Sequence, residues 1–312
     1  MKIYIFMKPF FLGSTRDKDL LNRDLKALGH EVEIFLNPSI PTKKGDINIH
    51  LENIEPNAMQ WARINWLIPN HEWLTSLPEE LKSMDLVLCK TKDAKRILDQ
   101  YISNTFFLGF TSKDQYLPEV EKDYRSLFHY QGGTSWQRGS FWLERAWSND
   151  LAQTLPHLTI TRVAPPSYEK GSLTVMSGPM QLSVHFHSLQ NRCGIHLCPS
   201  ETEGFGHALN EARSIAAVVI TLDAPPMNEL ITDKECLIPF SLKQIKKYGY
   251  ADLYRYDPRE MVKKVQTVVS WPKEKLQAIG LENRKRYLQE QEEFRERLKK
   301  ILSHVKIDNN KE

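Results

Sequence analysis

The chain opens on an unbroken apolar run, Ile3-Tyr4-Ile5-Phe6-Met7, bounded by Lys2 and by Lys8-Pro9. A run of that length between polar and turn-forming residues predicts a buried strand. A loop through Gly13-Ser14-Thr15 leads into a helix-period stretch from about Asp17 to Leu28. Gly29-His30 closes it, and residues 31–36 alternate in polarity as a second strand. Residues 47–51 and 64–68 read as further short strands. Residues 84–89 read as a strand followed by a helix from about Lys92 to Tyr101, and 105–109 close the series. Strands alternating with helices predict a mostly parallel sheet covered on both faces.

The rhythm lapses in a polar stretch from Thr111 to Asp123 that holds Pro118, and a second series begins beyond it. Residues 127–130 form a strand leading to a turn at Gly132-Gly133, with a helix near 141–147. Strands follow at 158–161, 173–176, 195–198 and 218–221, with a helix at about 206–217. After Pro258 the chain is helical, over 259–269 and from Pro272 to about Val305. Glu and Lys/Arg alternate there at the spacing of a solvated helix laced with i,i+4 pairs. The residues from Asp308 onward are expected to be disordered. Two α/β halves joined by one linker predict a ligand cleft at the carboxyl ends of the two sheets.

Length and charge narrow the partners. At roughly 150 residues per domain, 312 residues suit two domains or one large barrel, and 41% hydrophobic with 26% charged residues excludes a disordered chain. Lys plus Arg at 42 against Asp plus Glu at 39 leaves a net charge of +3, so no nucleic-acid partner is expected and any charge-driven chemistry must be local. No apolar run approaches the roughly 18 residues of a membrane span. The opening run is too short for a signal-peptide core, so membrane contact is expected to be peripheral at most. Cys89, Cys193, Cys198 and Cys236 read as free thiols of a reducing, cytoplasmic setting. His185, His187, Cys193, His196 and Cys198 match no zinc spacing, and no metal is expected.

The stretch with chemistry in it is Cys198-Pro199-Ser200-Glu201-Thr202-Glu203-Gly204-Phe205-Gly206-His207-Ala208-Leu209-Asn210-Glu211-Ala212. A strand ends at Cys198, a glycine-bearing loop follows, and a helix begins. Glycines let the backbone approach a ligand, and a helix N-terminus offers unpaired N–H groups and the positive end of a dipole. That combination suits an anion such as a diphosphate. The two carboxylates flanking it suit neutral hydroxyls, as on a ribose or a hexose.

On Pro199-Ser200, Glu203-Gly204-Phe205-Gly206, Glu211-Ala212, Val219-Ile220, Asp223 and Glu229, the sequence resembles the family-four retaining glycosyltransferases of the GT-B fold. Glu203 and Glu211 reproduce the family's Glu-x7-Glu spacing. The N-terminal half is similar over the opening strand, Gly13 and Gly29-His30-Glu31-Val32. The resemblance implies an α/β protein of two Rossmann-like domains with parallel sheets facing a central cleft: an acceptor-side domain over 1–118, a nucleotide-sugar-binding domain over 119–285, and a C-terminal helix and tail over 286–312 that packs back on the first domain. It implies transfer of a sugar, with retention, from a nucleoside diphosphate sugar to an acceptor hydroxyl on a glycan, lipid or small molecule, without a metal or other cofactor. A non-catalytic sugar-nucleotide or glycan-binding protein on the same scaffold is the alternative.

Carried over, Glu203 hydrogen-bonds hydroxyls of the transferred sugar, Glu211 takes the ribose, and the amides around Gly204, Phe205 and Gly206 lie near the diphosphate. Arg138, in Gln137-Arg138-Gly139, fills the place of the family's diphosphate clamp; the lesser alternative is an exposed loop arginine in a surface ion pair. Gly13 belongs to the donor side in the first loop. The sequence departs from the family where a second basic residue is common: Gly133 stands there, so Thr134 and Ser135 hydroxyls are expected to rebuild the contact. It departs again at Ala216 and Val218, where the family has Gly and Pro. His71, in Pro69-Asn70-His71-Glu72, is the candidate for the family's donor-facing histidine, or else caps local backbone, with Glu72 as a further polar contact. Trp61, Trp66 and Trp73 serve packing or offer faces to an acceptor sugar.

Overall fold

A computed structural model describes residues 1–8, 12–132, 136–149, 154–164, 166–178, 184–231 and 233–305, without the side chains of Leu12 and 243–248. The chain divides into two compact units. The first comprises Met1–Ser112, Lys247–Ala251 and the chain from Gln289, and the second Lys113–Lys246 and Asp252–Leu288.

The first unit is built on a six-stranded parallel sheet in the order β2-β1-β3-β4-β5-β6. Its strands are β1 (Lys2–Met7), β2 (Glu31–Leu36), β3 (Gly45–Leu51), β4 (Ala62–Ile68), β5 (Leu86–Cys89) and β6 (Thr105–Phe107). The apolar run of β1 is central and buried, with Ile3 registered against both Val32 and Ile47. Helix α1 spans Leu12–Ala27, starting before the expected Asp17 because Ser14 and Asp17 turn inward and are buried. After the short α2 (Pro78–Lys82), β5 begins at Leu86 rather than at 84. The Met84 amide is still bonded to the carbonyl of Leu81, and Asp85 exchanges bonds with the backbone of Asn65. Thr91 caps α3 (Lys92–Leu98), its hydroxyl accepting from the Ala94 amide at 3.0 Å. Leu67, Leu81, Val87, Ala94 and Leu98 share one core cluster, and Trp66 of β4 is buried as well.

The second unit carries a seven-stranded sheet in the order β13-β12-β11-β7-β8-β10-β9. Its strands are β7 (Asp123–Gly132), β8 (Leu158–Arg162), β9 (Tyr168–Lys170), β10 (Leu173–Ser177), β11 (Cys193–Cys198), β12 (Val218–Leu222) and β13 (Leu237–Ile238). Every pair is parallel except the edge pair β10–β9. Helix α4 (Ser140–Ser148) follows a 3-10 turn at Trp136–Arg138. Helix α5 (Val184–Arg192) was not foreseen: its polar residues hide the period, but Phe186 packs into a core with Phe128 and Tyr130. Helix α6 runs only over His207–Ser214, short of the expected 217, because Ala216 turns left-handed at φ +59°. A left-handed residue there explains the family's preference for glycine.

After α7 (Met227–Leu230) comes a two-stranded sheet, β14 (Leu242–Tyr248) with β15 (Ala251–Arg255), where no strand was expected. Helices α8 (Pro258–Val269) and α9 (Lys273–Ser303) end the described chain. The first half of α9 holds the α6–β12 corner: Asn283 Nδ2 donates to the Ala217 carbonyl at 2.9 Å, and Gly280 lies so close to Ala216 that a Cβ would strike its carbonyl. Its second half belongs to the first unit, where Phe294 meets Phe110 at 5.2 Å and Arg297 donates to the Leu108 carbonyl at 2.8 Å. Among the described residues no helix is long and apolar enough to cross a membrane.

Candidate functional site

In the second unit β11 ends at Cys198 and the loop 199–206 carries the chain to α6. Gly206 occupies the N-cap in the left-handed region at φ +97°, and no side chain caps the helix. The first amides of α6 therefore start from a glycine turn, the arrangement that suits an anion. Phe205 is buried. Glu203 and Glu211 are both buried. Arg138, on the 3-10 turn after β7, forms an ion pair through Nη1 with Glu203 Oε1. The two residues assigned to the sugar and to the diphosphate thus meet.

The turn that presents Arg138 is fixed by its neighbours. Gly139 has φ +76°, and a Cβ there would strike the Pro199 carbonyl and come within 2.9 Å of Tyr256 Oη, so only glycine fits. The Glu201 amide donates to the Gln137 carbonyl at 2.8 Å, joining turn to loop. Buried His129 spans the Leu197 carbonyl and Ser140 Oγ, both at 2.7 Å. Burial pushes its pKa down to about 4, with the Arg138 charge adding and the Leu197 bond opposing.

Sequence reasoning missed a second arginine–carboxylate pair. Arg255, at the end of β15, pairs through Nη1 with buried Glu201 and lies over the Trp136 ring at 4.9 Å from its centroid. The Tyr254 amide also donates to the Glu201 carbonyl at 2.8 Å. Arg255 lies some 50 residues beyond the motif, in a strand with no hydrophobic alternation to announce it. Gly133, Thr134 and Ser135 lie outside the described residues.

In the first unit the polar residues gather where the parallel strands end. Lys90, just past β5, is buried; its Nζ pairs with Asp17 and donates to Asn70 Oδ1 at 2.7 Å. Gly13 borders this group, its would-be Cβ 4.0 Å from Asn70 Nδ2. Glu52, just past β3, holds a left-handed backbone at φ +73° and is nearly buried. Burial pushes its carboxyl up to about 7, with Lys90 opposing and Glu72 and Asp17 adding. His71 is fully buried; neither ring nitrogen makes a hydrogen bond among the described residues, and Nε2 lies 3.7 Å from Asp93 Oδ2. Burial opposes ionisation of Asp93, but His71 and Arg96 hold its carboxyl below the usual range. The turn between β14 and β15 packs on the same segment: the Tyr250 amide donates to the His71 carbonyl and its hydroxyl to the Ser76 carbonyl, both at 2.8 Å. Lys90, Asp17 and Glu52 were not singled out from the sequence, although a lysine directly after an apolar strand is a readable signal. Trp61 and Trp73 are half-buried.

Among the described residues no group of three or more His, Cys, Asp or Glu could hold a metal ion. His196 Nε2 donates to the Gln190 carbonyl instead, at 3.0 Å. Burial pushes the thiols of Cys193 and Cys198 up to about 12.

Two Rossmann-like α/β units, the second with a Gly-loop and helix behind its central strands, define the GT-B fold. Solved structures of that fold match the chain over nearly its whole length. Sucrose-phosphate synthase from Thermosynechococcus elongatus is similar at a TM-score of 0.72 and 11% identity, over 98% of this chain and 99% of that one. A glycosyltransferase from Rickettsia africae ESF-5 is similar at 0.72 and 13%, over 99% of each chain. The pneumococcal O-GlcNAc transferase GtfA, solved in complex with UDP and GlcNAc, is similar at 0.60 and 15%, over 93% of this chain and 60% of that one. No protein-family model matches the sequence, and no curated protein sequence matches it.

Proposed function

We propose that the protein is a retaining glycosyltransferase that moves a sugar from a nucleoside diphosphate sugar to an acceptor hydroxyl. The observation that carries this reading is the ion pair of Arg138 with Glu203 beside the start of α6, with Glu211 buried on the same helix. A buried carboxylate and a guanidinium at a helix N-terminus are the groups a sugar diphosphate requires: acceptors for hydroxyls and fixed positive charge for the leaving group. On binding, the diphosphate takes Arg138 as its partner, and Glu203 becomes free to accept from the sugar hydroxyls. As the bond to the diphosphate breaks, Arg138 and the α6 amides neutralise the departing charge. The acceptor hydroxyl attacks from the same face, and its proton passes to a donor phosphate oxygen. Positioning and electrostatics thus carry the rate, with no side chain acting as a dedicated base. The similar GtfA structure was solved with UDP and GlcNAc, which supports a nucleotide-sugar donor. The four buried free thiols support a cytoplasmic enzyme.

A thermal-shift screen with UDP, GDP, ADP and their common sugar conjugates tests this, because a ligand bound only by the folded state raises the melting point. One nucleotide series is expected to stabilise the wild type, and Arg138→Ala to abolish most of that gain. No response to any of them, or an undiminished response in Arg138→Ala, refutes the site. Hydrolysis or transfer that inverts the anomeric centre refutes the retaining mechanism.

A further inference from the structure

Three successive residues at the end of β15, all in the second unit, meet the segments that carry Arg138 and Glu203. The Tyr254 amide donates to the Glu201 carbonyl at 2.8 Å, Arg255 pairs with the Glu201 carboxylate, and Tyr256 Oη stands 2.9 Å from where a Cβ on Gly139 would lie. Glu201 precedes Glu203 by two residues in the loop 199–206. Its amide donates to the carbonyl of Gln137, the chain neighbour of Arg138. Arg255 also lies over the ring of Trp136, which opens the same 3-10 turn that Arg138 ends. One guanidinium therefore holds both the loop of Glu203 and the turn of Arg138.

The chemistry of these contacts suits a fixed joint. The Glu201 side chain is 2% exposed, so its charge depends on Arg255 rather than on water. A planar guanidinium that bonds a carboxylate through its edge while its face rests on an indole is held in two directions at once, which an ammonium group does not reproduce. The Arg138–Glu203 pair is of the opposite kind: in the sugar-transfer reading it opens when the diphosphate takes Arg138, and the loop loses that tie. The residues on which the family resemblance rests end at Glu229, so this joint lies outside them.

We propose that Arg255 is a positioning residue: through Glu201 and Trp136 it fixes where Arg138 stands against Glu203, and it braces the loop when that ion pair opens. This deepens the sugar-transfer reading and rests on it for its catalytic consequence, but the brace itself is measurable with no donor present.

The donor-free test is a double-mutant cycle of Arg138→Ala and Glu203→Gln, read from urea unfolding, which reports the coupling within that pair. The cycle is repeated in the charge-balanced background Arg255→Gln with Glu201→Gln, where no carboxylate is stranded, and in the exposed-site variant Trp136→Ala. The coupling is expected to fall by about half or more in the charge-balanced background and measurably in Trp136→Ala. An undiminished coupling in the charge-balanced background overturns the proposal. With whichever nucleotide sugar stabilises the wild type, Arg255→Gln is expected to lower kcat for donor hydrolysis about tenfold while affinity for the product nucleoside diphosphate stays within about threefold, and Arg255→Lys to recover part of kcat. A loss carried by diphosphate affinity alone means that Arg255 holds the diphosphate itself, and it overturns the positioning role. Failure of the sugar-transfer reading is recorded separately, as a missing nucleotide response of the wild type, and the donor-free cycle then decides the brace on its own.

Discussion

Glu52 gives a prediction whose sign and size both follow from its surroundings. Its carboxyl, ordinarily near 4.5, is pushed up to about 7 chiefly by burial. The folded state therefore keeps a proton that the unfolded chain releases between those values. By linkage, Glu52 costs nothing below the unfolded value, and the folded state loses stability as pH rises through the window, with the full penalty present above about 7. At about 1.4 kcal/mol per tenfold, the span from 4.5 to about 7 corresponds to about 3 kcal/mol, and residual solvent access reduces it to ~2 kcal/mol. Replacing Glu52 with Gln removes the titration while keeping the shape. Urea unfolding followed by circular dichroism is expected to find Glu52→Gln more stable than the wild type by ~2 kcal/mol at pH 8, with the gap closing near pH 5. A gap of equal size at both values, or a variant less stable at pH 8, refutes the reasoning. Glu52→Gly reports the backbone separately: release from φ +73° is worth ~1 kcal/mol and shows no such pH dependence beyond that of the lost carboxyl.

Gly139→Ala forces a Cβ against the Pro199 carbonyl at a left-handed position, so a loss of ~3 kcal/mol and of nucleotide binding is expected, read from the melting point with and without ligand. Glu211→Ala is expected to weaken nucleoside diphosphate binding at least tenfold by calorimetry, the loss of a charged hydrogen-bond acceptor; unchanged affinity removes Glu211 from the ribose. His50, His129 and His196 are buried with pKa values lowered to about 4, about 4 and about 3. The unfolded chain takes up protons below about 6.5 that the folded state refuses, so stability falls from pH 7 to pH 5, by ~2 kcal/mol for each group. A flat profile of melting points over that range contradicts it.

The sheets were legible because their strands are buried apolar runs: 3–7, 47–51 and 195–198 reappear in β1, β3 and β11. Elements whose packing is set by partners distant in the chain were not. Phe186 commits α5 to the core although its neighbours are polar, and β14 carries too few apolar residues to announce a strand. The same holds at the site. Glu203, Glu211 and Gly206 were readable because their spacing is local to one loop and helix. Arg255 and Lys90 were not, since what matters in each is a carboxylate brought to it by the fold. His71 was singled out by its position after a strand, but the ring's burial against Asp93 depends on α3 and could not be read from sequence.

The order in which the chain supplies the first unit bears on its synthesis. That unit draws on three separate stretches, the last beginning at Gln289, whereas the second is complete once Leu288 has emerged. Residues 1–112, although made first, lack Tyr250 on the His71 carbonyl until the turn between β14 and β15 emerges, and the ring of Phe294 against Phe110 until the closing turns of α9 appear. A nascent chain stalled before Gln289 is thus expected to expose Phe110 and Leu108 to chaperones, and the half translated last is the first able to finish folding.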